Sequence, residues 1–337
     1  MNKPFKIILN ILIFTLIAGF GYYMFHSMTS EKKTTQSGEE NTEHPFVSPY
    51  EKINSFDVAS EIQCFNISKN SIFVALVDKV AVFDLSGQHQ YDFAIEPNVR
   101  DMVVDDGGVC RGKAHLAPTM IYILYPTKIV VYSLTGQKKD EWHACSETSD
   151  YCALTTTQDY VFVTDAENKN IVQYDKQGNL VRFIKSPDGF IIPSYAFDII
   201  SINDTIYCSN SGRHRIESYT INGEFIASFG KRGADAGAFA GCCNPAYLEK
   251  TYSGNILTSE KGVPRISSYG RDGKFRTVLF DSHTLGGGTE AYRMKVCGEN
   301  IFIAGKKTIT VYGRGKACLA PTEKSCVGCP MRENCKK

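Results

Sequence analysis

The residues best suited to chemistry in this sequence are its cysteines. The chain of 337 residues contains twelve, and four of them follow residue 316. These four are Cys318, Cys326, Cys329 and Cys335. A Cys-x2-Cys pair such as Cys326 and Cys329 presents two thiolates to one metal ion, and two further cysteines complete four sulfur ligands. The spacing therefore predicts zinc or an iron–sulfur cluster in this tail.

A pair of structural disulfides explains the same four cysteines. An even number of cysteines in a short tail is typical of a disulfide-stabilised segment, and thiols outside the cytoplasm tend to oxidise. The spacing Cys326, Cys329, Cys335 also resembles part of the auxiliary-cluster pattern of SPASM domains, and that resemblance implies an iron–sulfur cluster. Metal ligation, two disulfides and free thiols are the three alternatives for the tail.

Two adjacent cysteines form the second unusual feature. Cys242 and Cys243 end a Gly-rich link, residues 230–241, and precede Asn244 and Pro245. Adjacent cysteines rarely bond each other, because the ring that they would close is strained. We therefore expect each to have a separate partner, or one to pack as a small apolar side chain.

Other signatures narrow the chemistry further. Cys145 and Cys152 span a loop and are expected to form a disulfide, whereas Cys208 in an apolar run is expected in the core. The sequence contains no His-Glu-x-x-His, Gly-x-Ser-x-Gly, phosphate-loop or Cys-x2-Cys-His motif. A net charge of +1, without a stripe of basic residues, argues against a nucleic-acid-binding protein.

The elements that position these residues are repeated strand pairs, with a period of roughly 45 residues. The second strand of each pair ends near an aromatic residue, and the six are Phe83, Tyr132, Tyr174, Tyr219, Tyr269 and Tyr312. In five copies a glycine follows four residues later: Gly87, Gly136, Gly178, Gly223 and Gly273. Glycine at a constant offset from a strand end indicates a hairpin turn. Six copies of one unit predict an all-β, six-bladed β-propeller.

The third to fifth copies carry the most regular pattern. Residues 254–266, followed by Asp272-Gly273-Lys274-Phe275, resemble the NHL repeat, as does the lead-in 229–245. No copy contains the Asn-His-Leu tripeptide. The resemblance covers residues 151–280 and implies a six-bladed propeller, without implying a reaction.

The last copy lacks an outer strand of its own, since Lys316 stands where the turn glycine is expected. Residues 46–53 precede the first blade and are expected to supply this strand. Pro49 is tolerated there, because an outermost strand need not donate hydrogen bonds on its solvent side. Closing the ring in this way removes an exposed sheet edge.

An apolar segment lies near the N-terminus. Residues 7–25 carry no charge and are long enough to span a bilayer as a helix. We expect a membrane anchor, with a cleaved signal peptide and a secreted protein as the alternative. Lys3 and Lys6 lie closer to this segment than Lys32 and Lys33, which favours a propeller outside the cytoplasm. The expected organisation is anchor or signal 1–28, flexible linker 29–45, propeller 46–315 and Cys-rich tail 316–337.

Polar loops of neighbouring copies are expected to form a binding rim. The expected rim residues are Asp165, Glu167, Asn210, Arg213, Arg215, Cys242, Cys243, Glu260 and Arg265. Two functions fit this sequence. The first is a membrane-anchored module that binds a protein or ligand, accessory to a redox complex through its tail. The alternative is a propeller-type lyase or lactonase-like hydrolase with a metal in the central channel.

Overall fold

The computed structural model describes residues 15–20, 22, 46–68, 70–105 and 119–315. Residues 15–20 and 22 are helical. No helix within the described residues has both the length and the apolar character needed to cross a membrane. The expected anchor 7–25 lies mostly outside the described residues, and the expected linker 29–45 and Cys-rich tail 316–337 lie entirely outside them.

The strands form six four-stranded antiparallel sheets. The innermost strands are β2 (Cys64–Ile67), β6 (Asp101–Asp105), β10 (Tyr151–Thr156), β14 (Ile199–Ile202), β18 (Tyr247–Lys250) and β22 (Arg293–Cys297). The second strands are β3 (Ser71–Ala75), β7 (Met120–Tyr125), β11 (Tyr160–Asp165), β15 (Thr205–Asn210), β19 (Ile256–Glu260) and β23 (Asn300–Ala304). The third strands are β4 (Lys79–Asp84), β8 (Lys128–Ser133), β12 (Asn170–Asp175), β16 (Arg215–Thr220), β20 (Arg265–Tyr269) and β24 (Thr308–Arg314). The outer strands are β5 (His89–Ala94), β9 (Lys138–His143), β13 (Leu180–Ile184), β17 (Phe225–Phe229), β21 (Phe275–Phe280) and β1 (Tyr50–Asp57).

The six sheets form a closed ring. Each inner strand contacts the inner strand of the next sheet, and β22 contacts β2. Apolar side chains fill the space between neighbouring blades: Phe73 and Val82 of the first blade pack with Ile121 and Ile123 of the second. Cys208 is buried in one of these layers, as expected. The chain is therefore an all-β, six-bladed propeller, which confirms the predicted fold.

The repeated glycines serve a second purpose besides the turn. Gly178 has a φ of +83°, which glycine adopts without steric cost. A Cβ at this position would lie 2.4 Å from Nε1 of Trp142, on the outer strand β9 of the preceding blade. A Cβ at Gly136 would likewise lie 2.3 Å from the Phe93 side chain on β5. Each of these turns thus packs closely on an aromatic ring of its neighbour.

The ring is closed by the strand that precedes the first blade. β1 pairs antiparallel with β24 and completes the last sheet. The predicted closure is confirmed, although the strand begins at Tyr50 rather than at Phe46. The reason lies just upstream, where the Ser48 hydroxyl accepts the Tyr50 N–H at 3.1 Å and donates to the Leu279 carbonyl at 2.7 Å. Since Pro49 has no N–H to donate, regular pairing starts after it.

Candidate functional site

Two expected rim residues, Arg265 and Arg215, form ion pairs with nearby carboxylates. Arg265 holds the buried carboxylate of Glu260 through two hydrogen bonds of 2.8 Å. Burial raises the pKa of Glu260, and the Arg265 guanidinium opposes that shift. Arg215 similarly binds Glu217 at 2.8 Å and Asp188 at 2.7 Å. Glu260 and Glu217 are buried, whereas Asp188 is exposed.

The other expected rim residues of these loops differ in exposure. Asn210 is buried and makes hydrogen bonds of 3.0 and 3.2 Å to the loop 189–191, to which Arg213 donates at 2.9 Å. Asp165 is buried and accepts two backbone N–H groups, each at 3.1 Å. Glu167 is exposed. A binding role for these side chains stays a prediction.

A polar pocket lies at one mouth of the central channel, around the beginnings of the inner strands. Its volume is about 310 Å³. The charged and polar side chains of its lining include Arg100, Ser194, Tyr195, Asp198, Lys261 and Arg293. We call this cavity the channel-mouth pocket. Three cationic residues from three different blades therefore line one cavity, together with the acidic residues Asp198 and Glu290.

Arg293, the first residue of β22, holds its charge beside an aromatic ring. Its guanidinium donates to the Arg100 carbonyl at 2.8 Å and lies 3.5 Å from an Asp101 oxygen. Its Cζ is 4.6 Å from the centre of the Tyr247 ring. Burial disfavours the charged form, but Tyr247 and Asp101 outweigh burial, and the pKa of Arg293 is raised. The cation is therefore a permanent feature of this wall.

Asp198 joins the inner strands of two blades beneath the pocket. Its two oxygens accept the N–H groups of Ile199 at 2.9 Å and of Leu248 at 2.6 Å. Asp101 makes a similar link, accepting the Leu154 N–H at 3.1 Å. Burial, together with the nearby Asp101, raises the pKa of Asp198 to about 7, although the Leu248 N–H opposes the shift. This carboxyl therefore titrates near neutrality.

The backbone of the pocket wall is strained at Ser194 and Tyr195. Their φ angles are +54° and +56°, a region that non-glycine residues rarely adopt. Tyr195 is 53% exposed, and its ring lies 5.6 Å from the Arg100 guanidinium carbon. Arg100 also pairs with Asp150 at 3.2 Å. Strained residues of this kind concentrate at ligand-binding sites, because selection for stability alone would remove them.

The adjacent cysteines lie beside the same pocket and contact each other. The Sγ atoms of Cys242 and Cys243 are 3.0 Å apart, and Cys243 Sγ is 3.9 Å from the Ser194 hydroxyl. As expected, the two cysteines form no disulfide with each other, and Cys243 is buried, in agreement with the expectation that one of them packs as a small apolar side chain. The turn that ends the link 230–241 brings both side chains to the same side, next to Lys261.

The expected disulfide between Cys145 and Cys152 is not formed, and both thiols are free. Cys145 is exposed, and its sulfur contacts the Tyr174 hydroxyl at 3.0 Å. Cys152 lies on the inner strand β10, lines the channel-mouth pocket and donates to the Asp150 carbonyl at 3.6 Å. Burial raises the pKa of Cys152 to about 12. The strand direction turns this thiol toward the channel and away from the loop.

Among the described residues, no group of three or more His, Cys, Asp or Glu side chains could hold a metal ion. Cys318, Cys326, Cys329 and Cys335 lie outside the described residues, so their role as metal ligands or disulfides stays a prediction. Cys297 at the end of β22 is disulfide-bonded.

Sequence reasoning missed most of the channel-mouth pocket. It named Cys242 and Cys243 but not Arg100, Lys261 or Arg293. Arg100 directly precedes an inner strand and Arg293 begins one. An alignment of the six copies at the start of the first strand would have placed both at one mouth of the channel.

The comparisons with known proteins support the fold. No family model matches the chain, so membership of the NHL family is not confirmed. No curated protein matches it either. A streptogramin B lyase structure aligns with a TM-score of 0.55 at 13% identity, covering 78% of this chain and 97% of that chain.

Two further structures align in the same way. A protein of unknown function from Bacteroides thetaiotaomicron gives a TM-score of 0.57 at 13% identity, covering 79% of this chain and 74% of that one. A catalytically inactive virginiamycin B lyase from Staphylococcus aureus, solved with quinupristin, gives 0.52 at 14% identity, covering 77% and 98%. At such identities the likeness shows the propeller fold alone.

Proposed function

We propose that this chain is a membrane-tethered, extracytoplasmic propeller of the NHL type that binds a carboxylate-bearing ligand at the channel-mouth pocket. The observation that carries the proposal is the convergence of Arg100, Lys261 and Arg293 on one cavity. A volume of about 310 Å³ suits a small molecule or the end of a peptide. Guanidinium and ammonium groups are the natural partners of a carboxylate.

Lys261 is the cation best placed to receive such a ligand. Within the described residues it forms no ion pair with a carboxylate, whereas Arg100 and Arg293 have Asp150 and Asp101 beside them. Tyr195, exposed on the same wall, offers an aromatic face to the apolar part of the ligand. The pocket thus combines charge for orientation with an aromatic surface for contact area.

Calorimetry tests the proposal with a short peptide ending in a free carboxylate, its C-terminal amide and a panel of small carboxylates. The Lys261→Met variant is expected to bind the carboxylates at least about tenfold more weakly, because a charge-assisted hydrogen bond is lost. Lys139→Met is the matched control, since Lys139 is exposed on the outer strand β9.

The panel also separates the two sources of a carboxylate. Binding of the peptide alone indicates a protein partner that offers its C-terminus, and binding of the small carboxylates indicates a metabolite-sized ligand. Equal affinity for the acid and the amide would contradict the proposal. So would equal losses in the Lys261 and Lys139 variants.

An enzyme of the lyase or lactonase type is the second candidate. The observation in its favour is Asp198, a pocket carboxyl whose pKa is raised to about 7, as suits a general acid or base. Both Asp198 oxygens, however, already accept backbone N–H groups. The carboxyl is thereby committed to joining strands, and we favour binding over catalysis.

The location of the propeller is tested through Cys145. This thiol is exposed and free, so a membrane-impermeant maleimide can reach it if the domain faces outward. Labelling of Cys145 in intact cells, detected by peptide mapping and absent from Cys145→Ser, supports an extracytoplasmic propeller. Labelling that requires lysis of the cells would place the domain in the cytoplasm.

A further inference from the structure

Cys242 and Cys243 form a vicinal dithiol whose two members differ in access to solvent. Their sulfur atoms are 3.0 Å apart, close enough to share one proton in an S–H···S hydrogen bond. Cys242 is exposed, whereas only 4% of the surface of Cys243 is accessible. The pair therefore offers one thiol to an incoming reagent and keeps the second directly behind it.

The surroundings make a thiolate easier to form at Cys243 than at an isolated cysteine. Burial disfavours a thiolate at Cys243, but the hydrogen bond from Cys242 and the nearby Lys261 ammonium outweigh burial, and the pKa of Cys243 is lowered. The same hydrogen bond raises the pKa of Cys242. A thiolate formed at Cys243 is therefore stabilised by the second thiol and by the lysine beside them.

We propose that Cys242 and Cys243 are a redox-active site that reduces an organic disulfide and closes reversibly into a vicinal disulfide. In the first step Cys243 loses its proton to solvent, and the proton of Cys242 then passes to Cys243 across their hydrogen bond. The Cys242 thiolate then attacks one sulfur of the incoming disulfide. A mixed disulfide forms on Cys242, and the other half of the reagent leaves as a thiolate.

In the second step Cys243 becomes the attacking thiolate, and the second half of the reagent is released. Cys243 loses its proton to solvent, and its thiolate, stabilised by Lys261, attacks the sulfur of Cys242. The remaining half of the reagent leaves as a thiolate. The dithiol has then lost two electrons to the incoming disulfide and two protons to solvent, and the incoming disulfide has become two thiolates, which take up protons from solvent.

Geometry makes this closure reversible. The Cα atoms of neighbouring residues are about 3.8 Å apart across a trans peptide, which is shorter than the spacing of roughly 4.4–6.8 Å in unstrained disulfides. A vicinal disulfide is therefore strained and easily reduced. Such a bond suits a switch or an electron-transfer step better than a permanent cross-link.

The test uses the reduced full chain, oxidised glutathione as the probe, and peptide mass mapping after alkylation. The unmodified sequence is expected to form the Cys242–Cys243 disulfide without a lasting glutathione adduct, and excess reduced glutathione is expected to reopen it. Cys145, exposed but without a thiol neighbour in the described structure, serves as the internal control and is expected to keep its adduct.

Variants distinguish Cys242, which attacks the incoming disulfide, from Cys243, which resolves the mixed disulfide. Cys243→Ser is expected to trap a stable adduct on Cys242, and Cys242→Ser to slow modification of the sheltered Cys243 at least about tenfold. Lys261→Met is expected to slow the second step, by less than about tenfold for each pKa unit by which Cys243 rises because a more basic thiolate is also more nucleophilic, so the adduct on Cys242 accumulates. Lys139→Met should leave both steps unchanged.

A lasting adduct on Cys242 of the unmodified chain, with no internal disulfide in any glutathione buffer, would overturn the proposal. So would absence of any modification at Cys242 while Cys145 reacts. Both readouts use the unmodified sequence, so they remain decisive even if a serine variant fails to fold.

Discussion

Individual residues around the channel mouth work by holding neighbouring blades together. Asp101 and Asp198 each accept a backbone N–H from the inner strand of the next blade. Asn66 makes the corresponding link in the first blade, donating to the Met102 carbonyl at 3.0 Å. Polar side chains in the channel therefore join neighbouring blades, and the channel-mouth pocket lies above these links.

Asp198 should give the protein a specific dependence of stability on pH. The pKa of its carboxyl is about 7 in the folded protein, compared with 3.8 for an unperturbed aspartate. Between these values the folded chain holds a proton that the unfolded chain has lost. The free energy of unfolding should therefore fall as pH rises from about 4 to about 7, by at most about 1.4 kcal/mol per pH unit.

The Asp198→Asn variant should lack this component, because an amide does not titrate in this range. Urea denaturation at several pH values measures the slope. Asp57→Asn is the matched control, since Asp57 lies on the outer strand β1 and accepts a hydrogen bond from Thr308 at 2.6 Å. Parallel curves for the unmodified chain and Asp198→Asn would show that Asp198 is ionised in the folded state.

At the scale of strands and turns, the sequence was informative wherever the repeat itself carried the signal. The aromatic residue and the glycine at a constant offset predicted the turns, because both are dictated by local backbone geometry. The offset alone did not show why Trp142 lies beneath Gly178, since that contact joins different blades. Local patterns predict strands, and packing between copies depends on how the ring closes.

Gly178→Ala should test this packing. Alanine at a φ of +83° costs about 1–2 kcal/mol by itself, and displacement of Trp142 should add about 1–3 kcal/mol. Gly254→Ala is the matched control, because Gly254 has the same φ and its nearest neighbour is 3.7 Å from the added Cβ. The difference in unfolding free energy between the two variants isolates the clash. Equal destabilisation would show that the indole moves without cost.

At the scale of the whole molecule, the pocket exists because distant parts of the chain meet. Arg100, Lys261 and Arg293 belong to three blades and converge through closure of the ring. No pattern within a single copy shows such a meeting, and only an alignment of the six copies places Arg100 and Arg293 at the same mouth of the channel. The sequence correctly indicated that Cys242 and Cys243 do not bond each other and that one of them is buried, but their sulfur–sulfur contact depends on the conformation of the turn.

Closure by β1 should be required for stability of the entire ring. Phe56 of β1 packs against Phe83 of the first blade, with ring centres 5.1 Å apart, while β1 also pairs with β24 of the last blade. Removal of residues 47–57 would therefore expose a sheet edge and eliminate the aromatic contact between the two terminal blades. We expect a lower melting temperature and one cooperative transition in the full chain carrying this deletion.

The control deletion removes residues 30–40, which have the same length and lie outside the closing strand. Hydrogen exchange in β11, in the third blade, separates global from local effects. Faster exchange there would show that loss of β1 weakens the whole ring, because protection of a distant strand reports global opening. Unchanged protection in β11, with fraying confined to β23 and β24, would mean that each blade is stable largely by itself and that the closing strand protects an edge without holding the ring together.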